Sequence, residues 1–220
     1  MSLIQILEKL SATILAIQTD HPLRVGIDGV DAAGKTHLAN ELVPYLEASG
    51  RCVIRASIDG FHNPGKVRRR GGTYSSDGYY FDSFNYQLLK ERLLIPLGPN
   101  GNREYSAKVF DFRSDQEAQS EIFHANKNDI LVFDGVFLFR PEIHEHWDFK
   151  VFVDVDFETV IHRVTMRDGY LFGEKEEILN RYNQRYIPGQ KIYLESVHPR
   201  SKADIVINNN NIDLPSIIHP

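Results

Sequence analysis

Only one cysteine, Cys52, occurs in the 220 residues, which excludes an internal disulfide framework and a zinc cluster built on thiolates. It sits in the apolar run Cys52-Val53-Ile54, where the expectation is a buried structural thiol. Long apolar runs are missing too. Stretches such as Ile130 to Phe133 and Val136 to Phe139 fall far short of the roughly 18 residues needed to span a bilayer. The first twenty residues lack a basic start and carry Glu8 and Lys9 inside their apolar pattern. They do not read as a secretory signal, and a cytoplasmic protein is expected. Basic excess is absent as well: Lys plus Arg number 25 against 30 Asp plus Glu, a formal net charge of -5. No overall basic field recruits nucleic acid or an anionic membrane, so an anionic ligand needs a local site. The nine histidines show no metal-ligand spacing.

Hydrophobic residues at 42% and charged residues at 25% are ordinary globular values, and the length suits one domain over residues 1–220. Leu3, Leu7, Leu10, Ile14 and Ile17 recur at helical spacing and predict an amphipathic helix over about 2–18, packed on the domain. It has fewer than three heptads, so a homo-oligomer stays open. Strands are predicted at Leu23–Asp28, Cys52–Ser57, Ile130–Asp134, Phe149–Asp154 and Ala203–Asn208. Helices are predicted near Lys35–Ala48, Phe84–Leu94, Phe157–Arg167 and Glu174–Tyr186, with a polar, tyrosine-rich loop over about Asp59–Phe81 and a short polar tail over about 209–220. Strands alternating with helices imply an α/β fold whose parallel sheet is covered on both faces.

The strongest chemical signal is Gly29-Val-Asp-Ala-Ala-Gly34-Lys35-Thr36, a full match to G-x-x-x-x-G-K-[ST], with a strand before it and a helix after it. Glycines let backbone N–H groups turn inward around a phosphate, and the following helix offers its unpaired amides and positive dipole end. Lys35 then reaches β and γ phosphates, and the Thr36 hydroxyl suits magnesium. Two acids stand at strand ends nearby, Asp134 after Ile130-Leu-Val-Phe and Asp59 after Ala56-Ser-Ile. One can serve the metal's shell and the other an acceptor hydroxyl's proton, and each is also compatible with ordinary Asp-Gly turn chemistry. The run Lys66-Val-Arg-Arg69-Arg70 reads either as a clamp for an anionic group of the acceptor or as a solvated loop. Tyr74, Tyr79, Tyr80 and Phe81 can stack on a planar substrate or pack that loop down.

Taken in order, GVDAAGKT, Ile58-Asp59-Gly-Phe61-His62, Tyr80-Phe-Asp82-Ser-Phe84, Phe110-Asp-Phe112, Phe133-Asp134-Gly135, Arg163-Val-Thr-Met-Arg167 and Pro199 to Asn208 are collinear with a known series. From about Arg24 to Asn208 the chain resembles the uridine kinase and phosphoribulokinase-like branch of P-loop kinases, which includes pantothenate kinases. The resemblance implies a P-loop NTPase three-layer sandwich with a five-stranded parallel core and a mobile lid. It also implies transfer of a phosphoryl group from ATP, with Mg2+, to a hydroxyl of a small molecule. Around the nucleotide it implies Gly29, Asp31, Ala32, Ala33, Gly34, Lys35, Thr36 and His37, with Thr36, Asp59 and Asp134 toward the metal. Asp59 matches the acid that takes the acceptor's proton, and Asp82 resembles the carboxylate that holds sugar hydroxyls. Arg163 and Arg167 resemble lid arginines that neutralise the transferring group. Phe61, Tyr80, Phe110 and Arg181 fall at acceptor-side positions of the matched segments, with Arg69 of the basic run beside them.

Departures fall on the acceptor side. Phe110 stands where nucleoside kinases carry tyrosine, Asp115 where they carry histidine, and Arg181 where a glutamine precedes Tyr182. The second lid arginines are absent from Gly169 to Glu174. The base contacts of uridine and cytidine kinases are thus not reproduced, and pantothenate, a sugar or a sugar phosphate stands as an alternative acceptor. A reading from another class is a regulatory nucleotide-binding NTPase.

Overall fold

Along Ile130–Asp134 the side chains alternate between two separate apolar cores, Ile130 and Val132 on one side and Leu131 and Phe133 on the other. That is the period-two signature of a strand buried on both faces, and it sets the architecture. The computed structural model describes residues 1–119, 121–167 and 175–218, apart from the side chains of Arg167 and Lys175. The sheet holds β1 (Leu23–Gly29), β2 (Val53–Ser57), β3 (Ile130–Asp134), β4 (Phe149–Asp154), β5 (Ile205–Asn208) and β6 (Ser216–Ile218). Their spatial order is β6-β5-β4-β1-β3-β2. Five strands run parallel, as expected, and β6 adds an antiparallel edge against β5, so part of the predicted polar tail is a strand.

One face is covered by α1 (Leu3–Ala16), α2 (Lys35–Glu47) and α5 (Phe157–Arg167). In α1 the buried stripe is Ile6, Leu7, Leu10 and Ile14, each side chain contributing about 1.5–3 kcal/mol by its removal from water. Ser2 and Gln5 close a reciprocal capping box at its start. The other face is covered by α3 (Ser76–Asp82), α4 (Tyr86–Leu89) with the π turn Lys90–Leu94, and α7 (Ile187–Val197). Helix α6 (Lys175–Arg181) leads through a second π turn, Tyr182–Tyr186, into α7. The predicted helix Glu174–Tyr186 therefore extends to Val197, and its first residue lies outside the described residues. The segment read as a loop over Asp59–Phe81 is partly helical, with a short turn at Gly65–Arg68 and α3, whose N-cap is Ser75. Cys52 is exposed rather than buried: β2 begins one residue later, so the thiol lies outside the covered faces.

The chain leaves β1 to one side for β2 and β3 and to the other for β4 and β5, and such a switch point opens a crevice at the carboxyl ends of the strands. In register, Ile27 sits beside Asp134 and Gly29 beside Val153. The phosphate loop therefore emerges between two strands, with an acid one strand away. Gly29 has φ 154°, and a Cβ there would lie 2.4 Å from the Val153 carbonyl oxygen, so β4 leaves no room for any other residue.

Candidate active site

The segment from Gly29 to Thr36 forms a turn whose tightest points are Ala32 at φ 55° and Gly34 at φ 96°. Three contacts fix its outside. Arg163 Nη1 donates to the Ala32 carbonyl at 3.0 Å, Asn209 Nδ2 donates to the Ala33 carbonyl at 2.7 Å, and the Asp31 amide donates to Gln190 Oε1 at 3.0 Å. Lys35 is buried, and its ammonium folds inward to donate to the Val30 carbonyl at 2.7 Å. Helix α2 starts at Lys35 on Gly34 with no side-chain cap, which leaves its first amides available to an anion.

Thr36 Oγ1 donates to Asp134 Oδ2 at 2.5 Å, so two oxygen donors meet at the end of β3. The other Asp134 oxygen accepts from Arg55 Nη2 at 2.6 Å. A hydroxyl and one carboxylate, with phosphate oxygens and water completing the shell, is a donor set that suits magnesium. Asp28 at the end of β1 is fully buried. Burial pushes its carboxyl up to about 6, against the lowering effects of a hydrogen bond from Tyr193, the Gly29 amide and the charge of Lys35. Tyr193 Oη donates to Asp28 Oδ2 and itself accepts from the Phe139 amide at 3.0 Å.

The loop, Thr36 and Asp134 open into a cleft of about 820 Å3 whose lining includes Asp31, Ala32, Gly34, Lys35, Thr36, His37, Asp59, Asp134 and Arg163. Asp59 is exposed within it, on a 3-10 turn capped by Ser57, at the side away from Arg163's helix. Next to it His62 packs between the rings of Phe84 and Phe112, with centroids at 4.6 and 5.0 Å. Burial drives its imidazole down to about 4, opposed by the Asp59 carbonyl at Nδ1, so the ring is neutral at pH 7. Tyr79, Tyr182 and Tyr186 close the cleft on the helical side.

Several residues expected at the acceptor lie elsewhere. Phe61 is fully buried against Phe133, and Phe110 is buried in the same core, so neither ring faces the cleft. Tyr80 is also in that core, with the Arg140 guanidinium over its ring at 4.2 Å. Asp82 is held by both ends of the Arg70 guanidinium, at 2.8 and 2.6 Å. Arg69 is exposed beside Gly65 and Asp115, and Arg181 pairs with Glu177 at 2.7 Å. Asp115 accepts from Arg68 Nη2 and the Gly65 amide, both at 2.8 Å, and these bonds lower its carboxyl. Arg167 ends α5, but its side chain lies outside the described residues, as does the expected lid from Gly169 to Glu174. Asp28, Arg55 and Gln190 also belong to this site or brace it, although no motif marks them. Their signal was chemical: each is a polar side chain in an otherwise apolar, sheet-facing pattern.

Known proteins resemble this chain in sequence and in fold. The model of the Phosphoribulokinase / Uridine kinase family matches residues 25–213. Uridine-cytidine kinase B of Dictyostelium discoideum is 27% identical over 189 residues, covering 85% of this chain and 74% of that protein. A possible uridine kinase from Bacillus stearothermophilus superposes with a TM-score of 0.74 at 25% identity, covering 93% of this chain and 98% of that one. D-glycerate 3-kinase from Cryptococcus neoformans var. grubii superposes with a TM-score of 0.61, covering 97% of this chain and 99% of that one, and at 13% identity the likeness is one of fold alone.

Proposed function

We propose that this chain, which belongs to the phosphoribulokinase and uridine kinase family, transfers the γ-phosphoryl group of ATP to a hydroxyl of a small molecule held beside Asp59. The observation that carries this reading is that Lys35, Thr36 and Asp134 open into the same cleft as the exposed carboxylate of Asp59. Phosphoryl transfer passes through a loose transition state and leaves the protein mainly positioning and charge neutralisation. The amides from Gly34 onward cradle the phosphates. Lys35 exchanges the Val30 carbonyl for phosphate oxygens, and Arg163 steadies the loop through the Ala32 carbonyl. Thr36 and Asp134 would hold Mg2+, which would supply charge neutralisation to the phosphates. Asp59 accepts the hydroxyl proton, and the neutral His62 ring with Phe84 and Phe112 forms an apolar wall against which the acceptor rests.

For the acceptor, a pyrimidine nucleoside is the first candidate, because the aromatic wall suits a planar ring. A sugar, sugar phosphate or pantothenate is the second. It is favoured by the ion pairs Arg70–Asp82 and Arg68–Asp115, which engage the two carboxylates at the positions matched to nucleoside contacts. The test is ADP release by the purified protein with magnesium and ATP across uridine, cytidine, other nucleosides, pantothenate, sugars and sugar phosphates. A kinase releases ADP only when its acceptor is present. Tight ATP binding with no acceptor-dependent release across the panel would replace this reading with a regulatory NTPase.

A further inference from the structure

Gln190 is almost wholly buried, at 1% exposure, on a helix whose neighbouring buried positions are apolar or aromatic. A buried amide is costly unless both of its ends are paired, and here both ends go to one residue. Gln190 Oε1 accepts from the Asp31 amide at 3.0 Å, and Gln190 Nε2 donates to Asp31 Oδ2 at 2.9 Å. The same Asp31 oxygen accepts from the Tyr79 hydroxyl at 3.1 Å. Asp31 is a loop residue between Gly29 and Gly34, whereas Tyr79 belongs to α3, on the acceptor side. One carboxylate thus joins the phosphate loop, the acceptor segment and α7.

The surroundings make this junction stiff. Tyr79 packs edge-on to Phe137 at 5.1 Å and to Tyr186 at 4.9 Å. Gly189 lets α3 lie directly on α7: a Cβ there would sit 2.7 Å from Tyr79 Cδ1 and 3.0 Å from the Ser76 carbonyl oxygen. Arg185, one turn earlier on the same arm, donates to the carbonyls of Ser75 at 3.0 Å, Thr73 at 3.3 Å and Arg68 at 3.1 Å. Burial and the Asp31 charge keep the Tyr79 hydroxyl protonated, so it remains a donor. Through these bonds, any shift of the phosphate loop that displaces Asp31 would be felt at Tyr79 and in the segment around it.

We propose that Asp31 is a positioning residue that couples nucleotide in the phosphate loop to the order of residues 76–82 through Tyr79 and Gln190. This rests on the kinase reading above. The test is amide hydrogen exchange in residues 76–82, with and without magnesium and the β,γ-imido analogue of ATP, in the unaltered protein, Tyr79→Phe and Gln190→Leu. Tyr79→Phe keeps the ring packing and removes only the hydroxyl. If that variant fails to fold, Gln190→Leu, an apolar replacement of similar size, carries the test. The analogue is expected to slow exchange in this segment by about fivefold or more in the unaltered protein and by less than about twofold in the variants, which still bind it. Slowing that survives intact in a folded variant overturns the coupling, as does analogue binding without slowing in the unaltered protein. Failure of the unaltered protein to bind the analogue at all overturns the kinase reading, and the coupling with it.

Discussion

The two walls of the cleft are built by different means. On the phosphate side, the groups that line the cleft come mainly from strand ends or the first turn of a helix, Gly29 from β1, Lys35 and Thr36 from α2 and Asp134 from β3, with Arg163, Asn209 and Gln190 bracing the loop from outside. Backbone geometry sets most of these positions, through the register of Ile27 with Asp134 and the close approach of Gly29 to Val153. On the acceptor side, the wall is assembled from short turns between β2 and β3 and pinned by side chains, with Arg68 reaching Asp115 across 47 residues of sequence. A wall set by backbone tolerates little variation. One set by side-chain pairs can be re-keyed by a few substitutions at a cost of about 1 kcal/mol each where the pairs are exposed.

Breaking the backbone-set wall should have the largest effect. Lys35→Ala is expected to lower acceptor-dependent ADP release by about a thousandfold, since it removes a charge aimed at the phosphates, and steady-state kinetics will show it. Asp59→Asn crosses to the other wall and is expected to lower kcat by about a hundredfold or more while leaving ATP affinity intact. Binding of ATP by titration calorimetry separates the two: Lys35→Ala weakens it, and Asp59→Asn does not.

Next in size is a pH effect beneath the phosphate loop. The Asp28 carboxyl rises from 3.8 to about 6 on folding, so the native state holds its proton more tightly than the unfolded chain does. Its favourable contribution is full below pH 3.8, declines as pH rises, and is lost above about 6. Asp28→Asn removes that titration. The stability difference between the variant and the unaltered protein should therefore shift in the variant's favour by about 3 kcal/mol from pH 3.8 to above 6, read from urea unfolding at a series of pH values. A flat difference would show that Asp28 titrates as an ordinary carboxyl. The smallest change is expected for Arg70→Ala. Its side chain is 69% exposed, so stability should fall by less than about 1 kcal/mol. Release of Asp82 should nonetheless alter the acceptor KM without altering that of ATP. Equal changes in both would erase the distinction between the walls.

The sequence exposed these walls unequally, for the same reason. GVDAAGKT is contiguous, and its function follows from local geometry, so the loop, its flanking strand and helix, and Asp134 as the acid at a strand end were all legible. The parallel sheet followed from alternation of apolar strands with helices, but β6 did not. Its three residues, Ser216–Ile218, follow an asparagine-rich stretch and are recruited by the free edge of β5 rather than by any pattern of their own. Phe61, Tyr80 and Phe110 were misplaced because an aromatic near a catalytic segment reads the same whether it packs beneath a turn or stands above it. Which of the two occurs depends on long-range packing against Phe133, Arg140 and Phe137. The pairing of Arg70 with Asp82 and the junction of Asp31, Tyr79 and Gln190 depend on the fold as a whole, and no spacing rule announces them.

The chain's only tryptophan lies behind this machinery. Trp147 is buried against Gly26 of β1 and Phe133 of β3, and its indole N–H donates to the Leu138 carbonyl at 2.8 Å. Its emission therefore reports the integrity of the central strands from the side opposite the N-terminal helix. Unfolding exposes the ring to water and shifts the spectrum to longer wavelength. Every variant named above leaves that indole and its immediate neighbours in place, so the protein carries its own optical gauge of folding, one that reads the scaffold without touching the cleft.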